Sequence, residues 1–367
     1  MADELAKRVA RLQAQGVVVV DPRQTYVAAD VVPERIRPHA TLHPGTRLVG
    51  ARTFVAAGAQ IGVEGPATVV DAIFGPDAAI DSGYVNGAVL LRGARLGGNA
   101  HVRPGTLLEE GASTAHAVGL KHTILLAFVT LGSLINFCDV LMAGGTSRSD
   151  HSEVGSGFIH FNFTPWGVHG DKATPSLVGN VVDGVLLRRP RIFLGGAGGM
   201  IGPRRVGYGS IAAAGQVLRR DVPAEMLVHE GASSSIGKTL QPSYLDVAQP
   251  RGRRNVEYIA QLVALRAWYR DVRLARAASD DARTIFGAAI ETIGVAIDER
   301  VARLEAFLHE REQAMPDLVL DPSIACPLEM SGSDDDHVAW VRGLGEPDVA
   351  QLGAWLRAVA EAVVRKG

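Results

Sequence analysis

The chain is poor in the features that mark secreted, membrane-bound and nucleic-acid-binding proteins. Its 367 residues include two cysteines, Cys138 and Cys326, which are too few for a disulfide framework. It has no apolar run of about 18 residues and no signal peptide. A formal net charge of −2 leaves no excess of basic residues for a nucleic acid or a membrane surface. These absences predict a protein of the reducing cytoplasm with no nucleic-acid or membrane partner.

Aromatic residues are scarce as well, at 5% of the chain, whereas glycine occurs 42 times. A chain of this composition suits a narrow interior enclosed by tight corners. Since 47% of the residues are hydrophobic and 21% are charged, the composition is that of a globular protein. The length allows two or three domains.

A six-residue period in residues 193–222 explains the abundance of glycine. Aliphatic residues recur there at every sixth position, and glycines lie between them. This period fits neither an α-helix nor a hairpin, but it is the period of a left-handed parallel β-helix, in which each hexapeptide forms one side of a triangular coil. The recurring residues are Leu194, Met200, Val206, Ala212 and Leu218.

The same period begins near residue 36 and is interrupted in the middle of the chain. Loops on a rigid solenoid are common places for chemistry, so we expect the site beside the excursions 146–152, 164–176 and 181–190. The periodic residues in the first half are Leu42, Leu48, Phe54, Leu96, Val102 and Leu108.

The two ends of the chain follow other patterns. Residues 3–15 have the apolar spacing of a short amphipathic helix, and a strand that ends at Pro22 follows. Three segments near the C-terminus have apolar residues spaced by three and four, which predicts a helical bundle that covers the β-helix or packs between subunits. The predicted organisation is an N-terminal cap at 1–35, the β-helix at 36–230, a connector at 231–252 and an α-helical domain at 253–367.

Three stretches resemble one bacterial family: LGGNAHVRPGTLLEEGA (96–112), GSGFIHFNF (155–163) and residues 193–222, which end in Asp221 and Val222. They resemble the acetyltransferase half of the bifunctional enzyme that joins glucosamine-1-phosphate acetyltransferase to N-acetylglucosamine-1-phosphate uridyltransferase. The resemblance implies a trimeric left-handed β-helix in which a sugar phosphate and acetyl-CoA meet between subunits. Nothing in residues 1–35 would form the uridyltransferase domain, so we expect that domain to be missing.

The resemblance also implies a substrate site. Arg103 and Lys121 match the family's phosphate-contacting cations, and two cations converging on a phosphate form strong charge-assisted contacts. Asn162 matches a sugar-contacting asparagine. Lys172 stands where another substrate lysine does, after a four-residue insertion. The alternative for each charged residue is a solvated position on a loop.

The acyl donor would lie against the last coils. The family binds acetyl-CoA partly through backbone groups at positions that match Gly196 and Ala214, although small residues also suit the corner of a coil. Close pairs of arginines are candidates for the coenzyme phosphates, and Arg204 with Arg205 is the pair we favour. Arg188 with Arg189 and Arg219 with Arg220 are the others, and each pair is equally compatible with a solvated corner.

The histidines do not predict a metal site. Trimeric β-helices of another branch bind zinc through histidines four residues apart, and no such pair occurs here, so we expect no metal. The histidines near the substrate region are His116, His122, His151, His160 and His169.

The family's catalytic histidine has no counterpart in the chain. Its VNHL-like segment corresponds to INFCDV, where direct alignment places Phe137 at the histidine position, and a shift of one or two residues gives Asn136, Cys138 or Asp139. Acyl transfer to an amine needs a proton acceptor. Asp139 and His160 are the nearest candidates, but the six-residue period places His160 on an inward position, as expected of a core histidine.

Two functions follow from these observations. The first is an acyl-CoA-dependent N-acyltransferase for a phosphorylated amino sugar or a nucleotide sugar. The second is a non-catalytic sugar-phosphate-binding or assembly protein that kept the scaffold and lost the chemistry. Turnover of acetyl-CoA distinguishes the two.

Overall fold

The structure is a computed structural model that describes residues 2–163, 172–229, 248–330, 332–333 and 336–364. Its centre is a parallel β-solenoid of about eleven coils with three flat faces, followed by a helical region. This architecture is that of a left-handed β-helix with a C-terminal helical region, so the predicted fold class is confirmed.

The three faces are built from short strands that pair in parallel with the same face of the next coil. The first face contains the strands Tyr26–Val27, Arg47–Val49, Ala67–Val70, Gly83–Asn86, Ala100–Val102, Ile159–Phe161, Gly199–Ile201 and Val217–Leu218. The second face contains Phe54–Val55, Ile73–Phe74, Ala88–Leu90, Thr106–Leu108, Ser176–Val178 and Arg205–Val206. The third face contains Val18–Val19, Thr41–Leu42, Gln60–Ile61, Ala79–Ile80, Arg95–Leu96, Ser113–Thr114, Thr130–Leu131, Glu153–Val154, Phe193–Leu194, Ile211–Ala212 and Leu227–Val228.

Two longer strands, Gly119–Leu125 and Asn136–Met142, continue from the first face round a corner onto the second. They pair with each other along both halves, from Gly119 opposite Asn136 to Leu125 opposite Met142. The middle of the solenoid therefore has one corner at which two neighbouring coils are hydrogen-bonded almost without interruption.

The interior of the coils is a column of aliphatic side chains. The five periodic residues predicted for 193–222 are each no more than 3% exposed, because each points inward from its strand. An inward side chain meets its counterpart in the next coil, as Met200 meets His160 on one side and Leu218 on the other. The six-residue period is thus the spacing of the core.

The parallel ladder begins before residue 36. Helix α1 (Ala2–Ala14) packs at the end of the solenoid, and Val18–Val19 already pairs with Thr41–Leu42 on the third face. The segment predicted to be an N-terminal cap therefore supplies a strand to the first coil.

The remaining helices are the short α2 (Val181–Gly184) in an excursion and four in the C-terminal region: α3 (Ala248–Trp268), α4 (Asp280–His309), α5 (His337–Gly343) and α6 (Glu346–Glu361). A π-helical turn, Tyr269–Arg273, and a 3-10 turn, Leu274–Arg276, follow α3. A further 3-10 turn, Pro33–Arg35, precedes the second coil. Most of the predicted connector 231–252 lies outside the described residues.

The helical region covers the second face of the solenoid. Helix α4 packs against the strands Ala88–Leu90 and Thr106–Leu108, in which every residue is buried. A strand that is buried on both sides needs apolar residues at outward positions too, and the second face has them. Of the two predicted roles for the bundle, the structure shows it covering the β-helix.

Candidate functional site

Two cations lie next to each other on the first face, in neighbouring coils. The amide of Arg103 donates to the carbonyl of Leu120 at 2.9 Å, which places Lys121 directly beside Arg103, and Lys121 is opposite Cys138 in the next coil. The Arg103 guanidinium extends over both coils to within 3.5 Å of the Cys138 Sγ. Neither cation has an acidic partner within ion-pair distance among the described residues. The pair can therefore receive an anion.

The corner beside this pair is formed by His122 and Asp139. Both residues have left-handed backbones, with φ of 44° and 62°, at the points where the two long strands turn onto the second face. The preceding coil turns at Gly105, where φ is 76° and a Cβ atom would lie 2.2 Å from the His122 Nδ1. Glycine at this position lets the imidazole fold back over the corner.

Asp139, one of the two predicted proton acceptors, has both carboxylate oxygens engaged. Its Oδ1 is 3.0 Å from the Nη2 of Arg300 in α4, and its Oδ2 accepts from the Asn162 side chain at 3.1 Å. Asp139 and Arg300 are 3% and 1% exposed. The carboxylate therefore holds a buried ion pair and orients the predicted sugar-contacting asparagine.

His160, the other predicted proton acceptor, is enclosed in the solenoid. It is 2% exposed, and its Nδ1 and Nε2 lie 2.6 Å from the Cys138 carbonyl oxygen and 2.8 Å from the Ser176 Oγ. Burial lowers the pKa of His160 to about 4, although the bond to the Cys138 carbonyl acts in the opposite direction. The imidazole is neutral at neutral pH, and both of its nitrogens have partners inside the protein.

Phe137 also points into the interior. Its ring is 0% exposed and packs edge-to-face against Phe158, with the ring centroids 6.1 Å apart. The residue before it, Asn136, is exposed on the first face. In this coil the outward position that a substrate can reach is therefore Asn136.

The helical region contributes two residues to the corner that the sequence patterns did not reveal, Glu299 and Arg300. Arg300 binds Asp139 and also donates to the carbonyl of Lys172 at 3.3 Å, so it connects the corner to the chain returning from the excursion. The available signal was a charge on the apolar stripe of α4: Arg300 lies between Ile297 and Leu304, which are buried. A charged residue in such a stripe indicates a buried partner.

The predicted substrate residues converge only in part. Arg103 and Lys121 lie together, and Asn162 reaches the same corner through Asp139. The side chain of Lys172 is exposed, while its main-chain oxygen is held by Arg300.

The predicted donor residues lie at two different corners. Gly196 and Ala214 lie where the third face turns onto the first, and the Gly215 amide donates to the Gly196 carbonyl at 2.8 Å. Arg204 and Arg205 lie where the first face turns onto the second, beside α3. The strands of the first face in the last coils therefore lie between the corner of Gly196 and Ala214 and the corner of Arg204 and Arg205.

Several of the arginines near these corners have internal partners. Arg205 pairs with Glu257 of α3 at 3.2 Å, and Arg204 donates to its neighbouring carbonyl, that of Pro203. Arg189 pairs with Asp183 at 3.2 Å. The Arg188 guanidinium donates to three carbonyls around the end of α5, namely those of Val341, Arg342 and Leu344.

Neither a metal centre nor a membrane span emerges from the described ranges. In them, no three side chains of the types His, Cys, Asp and Glu converge as metal ligands would. None of the helices within these ranges combines the length and the apolar composition of a transmembrane span. His169 lies outside the described residues.

The coils, the hexapeptide core and the excursions define a β-helix protein of the hexapeptide-repeat class. No protein-family model matches the chain. It is similar to several proteins named bifunctional protein GlmU: 29% identical over 226 residues in Kineococcus radiotolerans, covering 62% of the chain and 40% of the relative. The protein of Clavibacter sepedonicus is 30% identical over 222 residues, which cover 59% of the chain and 39% of the relative. The protein of Mycobacterium tuberculosis is 28% identical over 247 residues, which cover 66% of the chain and 44% of the relative.

These matches and the β-solenoid together fit the acetyltransferase half of that bifunctional protein, so the resemblance predicted from the sequence is confirmed. The chain spans less than half the length of the curated relatives it matches.

Proposed function

We propose that the protein is an acyl-CoA-dependent N-acyltransferase that acts on a phosphorylated amino sugar or a nucleotide sugar. The observation that carries this proposal is the pair Arg103 and Lys121, two cations in adjacent coils with no acidic partner among the described residues. Buried or half-buried cations without counter-ions favour an anionic ligand, and arginine beside lysine suits a phosphate. The similarity to GlmU proteins supports an acyltransferase acting on a sugar phosphate.

The other residues take roles in the same proposal. Asn162, oriented by Asp139, and Lys172 contact the sugar. The donor is acetyl-CoA or another acyl-CoA, and it lies along the last coils between the corner of Gly196 and Ala214 and the corner of Arg204 and Arg205. No metal takes part. The protein works as a homotrimer in the cytoplasm, without the family's catalytic histidine, and its β-helix and its α-helical domain are divided by the connector near residues 231–252.

The substitution Lys121→Ala tests the phosphate site. We expect it to weaken binding of glucosamine-1-phosphate by about 10–100-fold, the cost of one hydrogen bond to a charged group. Titration calorimetry measures this loss, and Lys7→Ala is the control, because Lys7 is an exposed lysine of α1 paired with Glu4. Equal affinity in the Lys121→Ala and Lys7→Ala variants, for every phosphorylated sugar tested, would contradict the phosphate site.

Release of the coenzyme A thiol tests the reaction. Acceptors would be amino sugars with the amine at C2, C3 or C4, each as its 1-phosphate and linked to UDP. We expect turnover of at least one of them, and slow turnover of glucosamine-1-phosphate, because the family's histidine position carries no base.

A second function is favoured by one observation. Both predicted proton acceptors, Asp139 and His160, are occupied by internal hydrogen bonds and ion pairs. A protein that binds sugar phosphates without catalysis would have such a site. It would bind the same ligands as the enzyme but release no thiol.

A further inference from the structure

One titratable side chain at the corner is not committed to an internal hydrogen bond. His122 follows Lys121 in the chain, at the corner opposite Asp139 of the next coil. Its Nδ1 is buried without a hydrogen-bond partner, and the whole residue is 8% exposed. Its left-handed backbone is that of a coil corner, as at Asp139 in the next coil.

The groups around His122 come from three elements. Lys121 belongs to its own strand, Asp139 belongs to the strand of the next coil, and Glu299 and Arg300 belong to α4. Asp139 and Arg300 are bound to each other, as are Glu299 and Arg303 at 3.0 Å. The charges of Asp139 and Glu299 favour the protonated imidazole, whereas those of Lys121 and Arg300 disfavour it.

Burial nevertheless has the largest effect, and it lowers the pKa of His122. At neutral pH the imidazole is therefore neutral, which is the form that accepts a proton. The two facing carboxylates would stabilise the imidazolium after the transfer.

The other candidates beside Arg103 and Lys121 are less suited to this task. The Asp139 carboxylate is bound to Arg300 and Asn162, and both nitrogens of His160 are occupied. Burial raises the pKa of the Cys138 thiol, so it does not form the thiolate at neutral pH.

We propose that His122 is the proton acceptor of the acyl transfer, at a corner where Asp139 lies opposite it and is joined to α4 by Arg300. This inference rests on the proposed function and extends it, because it gives the helical region a role in the site. Helix α4 would then supply part of the catalytic framework from within the same chain.

The step balances as follows. The acceptor's ammonium group gives a proton to the imidazole, and the free amine attacks the thioester carbonyl carbon of the acyl-CoA. A C–N bond forms and the C–S bond breaks. The imidazolium returns its proton to the departing sulfur, and the attacking nitrogen releases its second proton to solvent, so the products are an amide, the coenzyme A thiol and one proton. The amine must lie at the corner and not at the position of the family's histidine, so we expect an acceptor other than glucosamine-1-phosphate to be turned over fastest.

The substitution His122→Asn tests the base, because asparagine tolerates the left-handed backbone but does not accept a proton at neutral pH. With acetyl-CoA and the amino sugar phosphate that the wild type turns over fastest, we expect kcat to fall about 10²–10⁴-fold with KM unchanged. His116→Gln is the control, because His116 is an exposed histidine at another corner, hydrogen-bonded to Ser133 at 2.9 Å.

The pH dependence of the rate gives a second test of the base. The rate should fall as the pH drops through the pKa of His122. Glu299→Gln removes a carboxylate that raises this pKa, so the fall should move to lower pH, and Glu299→Asp should restore part of the shift. Glu291→Gln, on the same helix and paired with Arg52, should leave the profile unchanged.

Each outcome separates the two proposals. If the wild type turns over an acceptor and His122→Asn does so at an undiminished rate, His122 is not the base, whereas the proposed function holds. A pH profile that does not shift in Glu299→Gln would contradict His122 as the base even if His122→Asn failed to fold. A wild type that turns over no acceptor would overturn the proposed function, and the base with it.

Discussion

At the scale of a single residue, Arg300 is the side chain that connects the helical region to the corner of the solenoid. It binds a buried aspartate of the β-helix and the main chain of Lys172, and its own side chain is almost fully buried. Breaking a buried ion pair by removing one partner leaves the other charge without compensation, which usually costs more than the pair itself contributes.

We therefore predict that Arg300→Met lowers the free energy of unfolding by about 3–5 kcal/mol. Arg303→Met is the control on the same helix, where a partly exposed pair should contribute about 1 kcal/mol or less. Urea denaturation measures both. If adding Asp139→Asn to the Arg300→Met variant recovers no stability, the loss of stability does not come from the Asp139 carboxylate being left buried without its partner.

The burial of Phe137 decides which substitution can place a histidine on the first face. Phe137→His would bury an imidazole in an apolar interior, which we expect to destabilise the protein by about 1–3 kcal/mol without creating activity. Asn136→His places the ring on the exposed first face and should increase the acetylation of glucosamine-1-phosphate. A thiol-release assay compares the two variants, and a gain confined to Phe137→His would contradict the assigned outward position.

At the scale of elements, the helical region is attached to the second face through buried polar contacts as well as apolar packing. The hydroxyl of Tyr269 donates to Glu109 at 2.8 Å, and Arg273 pairs with Glu110 at 2.5 Å. Burial, and then the neighbouring Glu110 carboxylate, raise the pKa of Glu109 from its ordinary 4.5 to about 7, against the effect of Arg273.

This shift predicts how stability depends on pH. Between pH about 4.5 and about 7 the folded protein keeps a proton on Glu109 that the unfolded chain has lost, so the free energy of unfolding falls as the pH rises through this window. Glu109→Gln should remove that part of the dependence, whereas Glu291→Gln should not. Urea denaturation at several pH values measures it, and an unchanged dependence in Glu109→Gln would contradict the assignment.

The sequence predicted the elements that depend on one local pattern. The six-residue period identified the inward residues of the coils because each of them needs only to be apolar, and the spacing of three and four identified the helices of the C-terminal region for the same reason. The corner could not be predicted, because His122 meets Gly105 and Asp139 meets Arg300 through contacts between segments far apart in the chain. Arg103 and Lys121 were found from their resemblance to a family rather than from a pattern.

At the scale of the whole molecule, the described part of the helical region packs on the second face and leaves the first and third faces open. Large apolar residues are exposed on them, including Phe161 at 46%, Ile211 at 47% and Leu227 at 67%. Exposed apolar residues in neighbouring coils are typical of an association surface. If the protein forms a trimer, these two faces are available for its contacts and the second face is not.

We predict a homotrimer of about three times 38.7 kDa in light scattering. Ile211→Asp should weaken the trimer, because it places a charge in the predicted contact. Val295→Asp is the matched control, since Val295 is 46% exposed on α4. A stable monomer in the wild type would contradict both the trimer and a site between subunits.

A crystal structure of the protein with coenzyme A and glucosamine-1-phosphate tests the central claim most directly. The account predicts the sugar phosphate between Arg103 and Lys121, with the sugar directed toward the corner of His122 and Asp139, and the coenzyme along the last coils. A phosphate bound away from both cations, or a crystal in which the coenzyme is absent from the last coils at saturating concentration, would contradict it.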